Sequence, residues 1–229
     1  MGQLDAKLMP SLRQLLAAHP TLLLIDSSSA RIQAGLWTPD AAAPVWQHSD
    51  TEAGTGIFAC VEALLNQAGR LIAEVDAFVF CEGPGSVLGI RTSAVALRTW
   101  RVINPSAATY TYQSLDLVAR SLGRPELSVI ADARRDTWHV AQLGQQLRRV
   151  PSAELAGECV MPEHFRHWTP LPTALGSTHY EIATLLGTLP DADVFRAVNE
   201  PDAFSHEEPS YVTWTPQIHQ APAPRPASF

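Results

Sequence analysis

Two apolar strands in this sequence each end in an aspartate that leads into a polar turn. Residues 22–25 (LLLI) precede Asp26, and residues 127–131 (LSVIA) precede Asp132. A continuous apolar run of this length is typical of a central strand that is buried on both faces. In both places a second strand follows at the distance expected of a hairpin. The repeat predicts a duplicated α/β fold with two strand-rich halves.

The rest of the hydrophobic pattern supplies the other elements of the two halves. Strands are predicted at residues 32–37, 45–48, 75–81, 110–113, 138–143 and 171–175. Helices are predicted at residues 11–18, 56–68, 87–102, 114–121 and 179–186. Ser114 is expected to cap its helix, and residues 176–177 are expected to form a turn. Each half would then combine a hairpin with crossover helices.

Composition limits the classes of function. The 229 residues are 46% hydrophobic and 17% charged, with no apolar run near the ~18 residues of a membrane span. The net charge of −7 argues against a chain that grips a polyanion alone. Three cysteines without a C-x-x-C pair fit a reducing compartment, and the first 20 residues do not resemble a signal peptide. We expect a soluble, cytoplasmic protein without a metal or another cofactor.

A glycine-rich turn between a strand and a helix is the most specific local motif. Gly83, Gly85 and Gly89 are spaced one residue too widely for the dinucleotide fingerprint G-x-G-x-x-G, and no G-K-[ST] follows them. The glycines are therefore expected to permit a tight turn and close packing, although backbone N–H groups at the helix start could still hold an anion. Ser86 lies on this turn, but its surroundings are not the G-x-S-x-G of a hydrolase and no histidine is identifiable as its base.

Four motifs together resemble one known family. Residues 24–28 (LIDSS), 83–91 (GPGSVLGIR), 132–135 (DARR) and 206–211 (HEEPSY) have the order and spacing of TsaB (YeaZ-like) proteins, which act in bacterial tRNA threonylcarbamoyladenosine biosynthesis. The match spans about residues 21–211. The resemblance implies an α/β fold of two ribonuclease-H-like halves from the actin-like ATPase superfamily.

Three departures from the family pattern mark the sequence as divergent. Val87 and Leu88 replace a Phe-Thr pair, Thr92-Ser93 replace a glycine, and Thr213 replaces an arginine. These changes affect the expected partner surface more than the expected fold.

The resemblance also implies that this chain is a non-catalytic scaffold. It would bind the catalytic subunit TsaD, possibly with the ATPase TsaE, contact tRNA only indirectly, and form a homodimer through the same surface. That surface corresponds to the helices at residues 56–68 and 87–102. Its candidate contacts are Phe58, Val61, Leu65, Leu88, Arg91, Val95 and Arg98, and the expected structural motif residues are Asp26, Gly83, Gly85, Ser86, Gly89, Asp132 and Arg134.

The residues themselves also indicate that an ancestral active site is missing. Actin-like ATPases hold phosphates with D-x-G turns, because glycine lets the backbone approach closely. The matching turns here, residues 26–28 (DSS) and 132–134 (DAR), contain no glycine. His164 and His167 are the histidine pair nearest to metal-ligand spacing, and no third ligand lies near them in the sequence.

The two partner helices carry more apolar residues than one buried face requires. In the first helix, Phe58 and Cys60 lie off the main apolar stripe. In the second helix, three apolar residues come in addition to those that its buried face requires: Leu88, Val95 and Trp100. We therefore expect part of each helix to face outward as an interface. Two other interpretations stay open: a retained enzyme, either an ATPase using the cleft between the halves or a hydrolase using Ser86, and a homodimeric relic without a role in tRNA modification.

The predicted domain organisation has four parts. Residues 1–20 form an N-terminal extension, residues 21–108 the first half, residues 109–213 the second half, and residues 214–229 a disordered proline-rich tail.

Overall fold

Two mixed β-sheets organise the chain, as seen in a computed structural model that describes residues 9–172 and 175–203. The strands are β1 Leu22–Asp26, β2 Ile32–Trp37, β3 Val45–Ser49, β4 Ala77–Gly83, β5 Ala108–Gln113, β6 Ser128–Asp132, β7 Thr137–Ala141, β8 Arg148–Pro151, β9 Cys159–Pro162, β10 Leu175–Thr178 and β11 Arg196–Ala197. The helices are α1 Leu12–Ala18, α2 Ala53–Ala68, α3 Val87–Ile103, α4 Ser114–Leu122 and α5 Ile182–Thr188. In the described part of the chain, no helix is both long and apolar enough to cross a membrane.

The two sheets share one strand order. The first sheet runs β11-β5-β4-β1-β2-β3, with β1 to β3 antiparallel and with β4 and β5 parallel to β1. The second sheet runs β10-β9-β6-β7-β8, with β6 to β8 antiparallel and with β9 and β10 parallel to β6. Apart from the added β11, the second order repeats the first. The duplication expected from the two aspartate-ended strands is confirmed.

The halves differ in their connections. In the first half, α2 joins β3 to β4 and α3 joins β4 to β5. In the second half, β8 leads to β9 through a single 3-10 turn, Ser152–Glu154, and the described residues 163–172 between β9 and β10 form no helix. The prediction of crossover helices in both halves is therefore wrong for the second half. Its connecting segments lack a helical apolar period that could cover the sheet.

Several predicted boundaries are also corrected. The strand expected at residues 171–175 is β10, which begins at Leu175, so the turn expected at residues 176–177 lies inside a strand paired with β9. Ser114 does not cap α4 with its side chain, because its hydroxyl donates to the Pro84 carbonyl at 2.5 Å and the N-cap residue is Gln113. The motif at residues 206–211 and the tail at residues 214–229 lie outside the described residues.

Two apolar clusters hold the layers together. One packs α2 and α3 against one face of the first sheet, with Phe78 and Phe80 at its centre. The other joins the opposite face of the first sheet, α1, α4, α5 and the second sheet, and includes Leu15 and Phe195. Residues 1–20 were expected to be an extension before the first half, yet α1 belongs to this shared core.

The chain passes from the first sheet to the second sheet after β5. The predicted boundary between residues 108 and 109 coincides with the start of β5, which pairs with β4 in the first sheet. Late in the chain, β11 returns to that sheet and pairs with β5. The sheet of the first half therefore combines strands from the beginning of the described chain with β11 from near its end.

Candidate functional site

The first aspartate turn is an internal hydrogen-bond centre. Asp26 is fully buried at the end of β1 and accepts four hydrogen bonds. Its Oδ1 accepts from the Ser28 N–H at 2.9 Å and the Ser28 hydroxyl at 2.8 Å. Its Oδ2 accepts from the hydroxyls of Tyr112 at 2.6 Å and Tyr180 at 2.8 Å. Both carboxylate oxygens are thus used within the protein, so Asp26 joins the halves and does not project into a cleft.

The two tyrosines are held as donors. Burial, and next the charge of Asp26, raise the pKa of Tyr112 and of Tyr180 well above the ordinary value. Burial and the same charge also raise the pKa of the Cys81 thiol. Each of these groups stays protonated at neutral pH. The arrangement favours a fixed structural network over proton transfer.

The glycine turn packs directly on the residues that follow Asp26. A Cβ atom at Gly85 would overlap the Ser28 carbonyl oxygen, and one at Gly89 would overlap the Ser27 carbonyl oxygen. Gly85 also has a φ of +155°, which L side chains rarely adopt. The Ser86 N–H donates to the Ser28 carbonyl at 2.7 Å. Close approach therefore explains both glycines, as expected from the sequence.

Ser86 is the N-cap of α3. Its hydroxyl oxygen accepts from the Gly89 N–H at 3.4 Å, while the side chain of Ser93 one turn further along α3 contacts the Ser27 hydroxyl at 2.7 Å. This position gives Ser86 a capping role.

The second aspartate turn ties two loops together. Asp132 accepts from the Arg134 N–H at 2.5 Å, the Thr169 N–H at 2.7 Å and the Trp168 N–H. Burial acts to raise the pKa of Asp132, but the backbone hydrogen bonds from Thr169, Trp168 and Arg134 outweigh it, so the pKa lies below its ordinary value. Asp132 is therefore a charged loop anchor at neutral pH.

Arg134 stands in an unusual conformation at this turn. It begins three consecutive non-glycine residues with positive φ, Arg134, Arg135 and Asp136, at 62°, 51° and 57°. Each such residue carries strain of about 1 kcal/mol or more, and strain of this kind is often retained where it positions a side chain. Here the Arg134 guanidinium lies 3.9 Å from the centre of the Trp168 ring.

A cleft of about 310 Å³ separates the two aspartate turns. Ser28, Gly85 and Ser86 line one side, and Asp132 and Arg134 line the other. Sequence reasoning did not identify four further lining residues, Glu82, His139, Arg166 and Trp168. Trp168 and Arg166 lie in an irregular segment whose position depends on distant hydrogen bonds, so no local pattern indicates them.

The outer face of α3 carries a regular exposed row. Leu88, Val95 and Val102 are 75%, 56% and 81% exposed and follow each other at seven-residue intervals. Arg91 follows Leu88 by three residues, Arg98 follows Val95 by three residues, and both arginines are exposed. Residues three, four and seven apart lie along one side of a helix. Leu88, Arg91 and Val95 thus lie at the surface where the sequence predicts a partner contact.

The adjoining face of α2 adds a groove of about 330 Å³. Phe58 is 45% exposed and packs edge-on against Trp100 of α3, with ring centres 5.9 Å apart. Leu65 is half-buried in the wall of the same groove. Three expectations are corrected here: Val61, Cys60 and Trp100 are 3%, 4% and 8% exposed, so all three belong to the buried layer. Val61 lines the groove from below.

Arg98 is engaged by the chain itself. Its guanidinium donates to the Pro201 carbonyl, at 2.8 Å from Nε, and lies 3.7 Å from the Asp202 carboxylate. Residues 198–203 run beside α3, where Val198 and Ala203 pack against the apolar cluster beneath. Arg98 therefore positions this segment and is not free for a partner.

Among the described residues, no group of three or more His, Cys, Asp or Glu side chains is placed to hold a metal ion. His164 and His167, the nearest pair by sequence, make other contacts. The His164 carbonyl accepts from the Ala30 N–H at 2.8 Å, and His167 Nδ1 lies 3.4 Å from the Thr169 carbonyl.

Two solved structures resemble the fold. YeaZ from Pseudomonas aeruginosa is 21% identical with a TM-score of 0.54, over 73% of this chain and 90% of that chain. A second structure, of an uncharacterized protein with similarity to peptidase YeaZ from Pseudomonas aeruginosa, is 22% identical with a TM-score of 0.51, over 73% of this chain and 89% of that chain. No protein-family model and no curated protein sequence matches. The chain therefore has a YeaZ-like α/β fold, made of two halves that each contain a mixed sheet of the same strand order.

Proposed function

We propose that this protein is a non-catalytic scaffold subunit that binds another protein through the outer faces of α2 and α3. The observation that carries the proposal is the exposed row on α3 together with the groove beside Phe58. Monomeric proteins rarely leave large contiguous apolar surface uncovered, and such surface with a charged margin is typical of an interface. Arg91 supplies a charge at this margin.

The proposed partner is a TsaD-like catalytic subunit of tRNA threonylcarbamoyladenosine synthesis. The YeaZ-like fold and the four sequence motifs support this choice. In this proposal a TsaE-like ATPase joins the complex, tRNA is contacted through the partners, and the protein acts in the cytoplasm. The same face makes a homodimer when the catalytic subunit is absent.

The hydrogen bonds of Asp26 and Ser86, near the cleft between the halves, support a non-catalytic role. Asp26, at the position where actin-like ATPases begin a phosphate turn, has both oxygens occupied by Ser28, Tyr112 and Tyr180. The Ser86 hydroxyl caps α3. Neither group is arranged as a nucleophile or as a free general base.

The proposal is tested by copurification from the native cell, with wild-type protein and with Leu88→Asp. Leu88 is 75% exposed, so the change should leave the fold intact. A carboxylate forced into a desolvated contact costs several kcal/mol, so we expect loss of the TsaD-like partner and of self-association. Leu171→Asp is the matched control, because Leu171 is also an exposed leucine, 44% exposed, and lies in the second half of the chain.

Two results would contradict the proposal. A folded Leu88→Asp protein that retains the partner would exclude α3 as the contact. Tight binding of ATP with magnesium to the purified protein, with a Kd below about 0.1 mM or roughly 5 kcal/mol, would favour a retained ATPase.

A further inference from the structure

The cleft between the halves has one wall that is cationic and aromatic. Arg134 and Arg166 line it together with Trp168, which is 60% exposed although the Arg134 guanidinium stacks on its ring. Within residues 9–172 and 175–203, neither guanidinium has a carboxylate at ion-pair distance. This wall therefore presents two positive charges beside an exposed indole.

One carboxylate holds the two loops of this wall together. Asp132 accepts from the Arg134 N–H at 2.5 Å on one loop. On the other loop it accepts from the Thr169 N–H at 2.7 Å and from the Trp168 N–H, two residues after Arg166. Arg134 has a φ of 62°, and backbone strain of this kind persists where the surrounding structure fixes it, often at ligand sites. Both guanidiniums are thus positioned in advance, which lowers the entropic cost of binding.

The opposite wall of the cleft is the start of α3. Ser86, Val87 and Leu88 line the cleft there, and Ser86 is the N-cap of this 17-residue helix. The first turn of a helix presents N–H groups that have no intrahelical acceptor, and the helix dipole is positive at this end. The two walls therefore favour a negative charge between them.

The acidic side chains of the cleft are compensated by other groups. Glu82 is buried and is paired with Arg196 at 2.5 Å, and it also accepts from the Gln113 amide at 3.3 Å. Asp132 has its oxygens occupied by the N–H groups of the two loops. The net charge of the whole chain is −7, so the cationic wall runs against the overall charge of the protein. An anionic ligand is attracted by this local field.

Arg134 distinguishes this cleft from the phosphate site of an ATPase. It stands at the third position of its aspartate turn, where D-x-G turns have the glycine that lets phosphates approach the backbone. The first aspartate turn has Ser28 at that position, and its hydroxyl is bonded to Asp26. Neither turn therefore offers a backbone cradle for a chain of phosphates. A volume of about 310 Å³ is at the lower end of small-molecule sites and suits a single-ring molecule.

We propose that the inter-half cleft binds a small molecule that carries one oxyanion group, a carboxylate or a phosphate, on an aromatic ring. The oxyanion pairs with Arg134 and Arg166 and faces the first turn of α3, while the ring packs on Trp168. Guanidinium groups match carboxylates and phosphates with charge-assisted hydrogen bonds of defined geometry, and aromatic rings pack favourably on an exposed indole. This inference does not depend on the proposed partner, because the site lies in the cleft and shares only Leu88 with the exposed row of α3.

The test titrates four probes into the full-length protein: benzoate, phenyl phosphate, inorganic phosphate and benzyl alcohol, which is a neutral relative of benzoate. Indole N–H signals of ¹⁵N-labelled protein report binding, and loss of one signal in Trp168→Phe identifies that of Trp168. We expect a saturable shift of this signal with benzoate or phenyl phosphate, with a Kd below about 1 mM. Benzyl alcohol and inorganic phosphate should bind at least tenfold more weakly. The tighter of the two aromatic anions shows whether the group is a carboxylate or a phosphate.

Two variants and a matched control locate the binding. Arg134→Gln and Arg166→Gln should each weaken the tighter aromatic anion at least tenfold. Arg135→Gln should leave it unchanged within twofold, because Arg135 is exposed on the same turn with a φ of 51° and does not line the cleft. Circular dichroism on each variant confirms that its fold is retained.

Several results would overturn the proposal. One is the absence of a saturable shift at Trp168 with both aromatic anions. Another is binding that persists undiminished in both cleft variants, or that weakens equally in Arg135→Gln, since the effect would then be one of general charge. Inorganic phosphate that binds as tightly as phenyl phosphate would show that the ring has no place in the site.

Discussion

A buried carboxylate without an ion-pair partner is costly unless hydrogen bonds compensate its charge. Asp26 meets this requirement with donors from three parts of the chain, and Tyr112 and Tyr180 lie 86 and 154 residues away from it. The sequence predicts that Asp26 ends a buried strand and leads into a polar turn. It cannot predict the tyrosines, because their approach depends on how the two halves pack.

The glycine turn gives the first prediction. Gly85→Val should destabilise the protein by at least about 2 kcal/mol, from strain at a φ of +155° and from overlap with the Ser28 carbonyl. Urea unfolding of the variant and the wild type measures the difference. Gly187→Ala is the control, since no atom lies within 4 Å of the added Cβ, and it should be neutral or slightly stabilising. Equal stability of all three proteins would contradict the prediction.

Asp132 gives a prediction about pH. Its pKa is lower in the folded state, so the stability it contributes is present above the unfolded pKa of about 3.9 and is lost as pH falls through the folded value. Asp132→Asn should cost about 1–3 kcal/mol at pH 7 and less at pH 3. Unfolding free energies at both pH values check this. A cost that does not change with pH would show that the charge of Asp132 is not what anchors the loops.

At the scale of elements, α3 has two different faces. Its buried side holds Ile90, Leu97 and Trp100 against the sheet, while Leu88 and Val95 lie in the solvent. Periodicity predicts the long helices α2 and α3 well, because each offers several turns of pattern. It does not predict β8, β9 or β11, since strands of two to four residues give too little alternation. Periodicity also placed Trp100 and Cys60 on the outward side, because a wide apolar stripe does not define which side of a helix faces the sheet.

The two faces of α3 should respond differently to truncation. Trp100→Ala removes a ring that packs on Phe58 and Phe78, so we expect a loss of about 3–5 kcal/mol. Val95→Ala on the exposed face should change stability by less than about 0.5 kcal/mol. Chemical denaturation of both variants measures the contrast. Similar costs at the two positions would mean that the assignment of faces is wrong.

At the scale of the whole molecule, both ends of the described chain are built into the core. Helix α1 begins with a capping box between Ser11 and Gln14, and the Arg13 N–H donates to the Pro190 carbonyl. The sequence predicts this helix from its leucines and predicts the duplication from the repeated strands. It does not show that α1 packs in the core shared by the halves, because a short amphipathic helix does not specify its partner.

This packing gives a prediction for the N-terminal helix. Leu15 is 1% exposed within the shared cluster, so Leu15→Ala should cost about 2–5 kcal/mol. Leu16→Ala on the same helix is the control, and it should cost less because Leu16 is only partly buried. Thermal and urea unfolding provide the measurement. If Leu15→Ala were as stable as the wild type, α1 would be a dispensable extension after all.

Because β11 pairs with β5, the first sheet can be completed only late in the synthesis of the chain. The β5 edge of the first sheet stays open until about 80 further residues have been made, which takes roughly 4–16 s at ~5–20 residues per second. An unpaired strand edge is a template for joining other chains. The nascent protein is thus exposed to aggregation through β5 for most of the synthesis of its second half, and that risk ends only when the last described strand arrives.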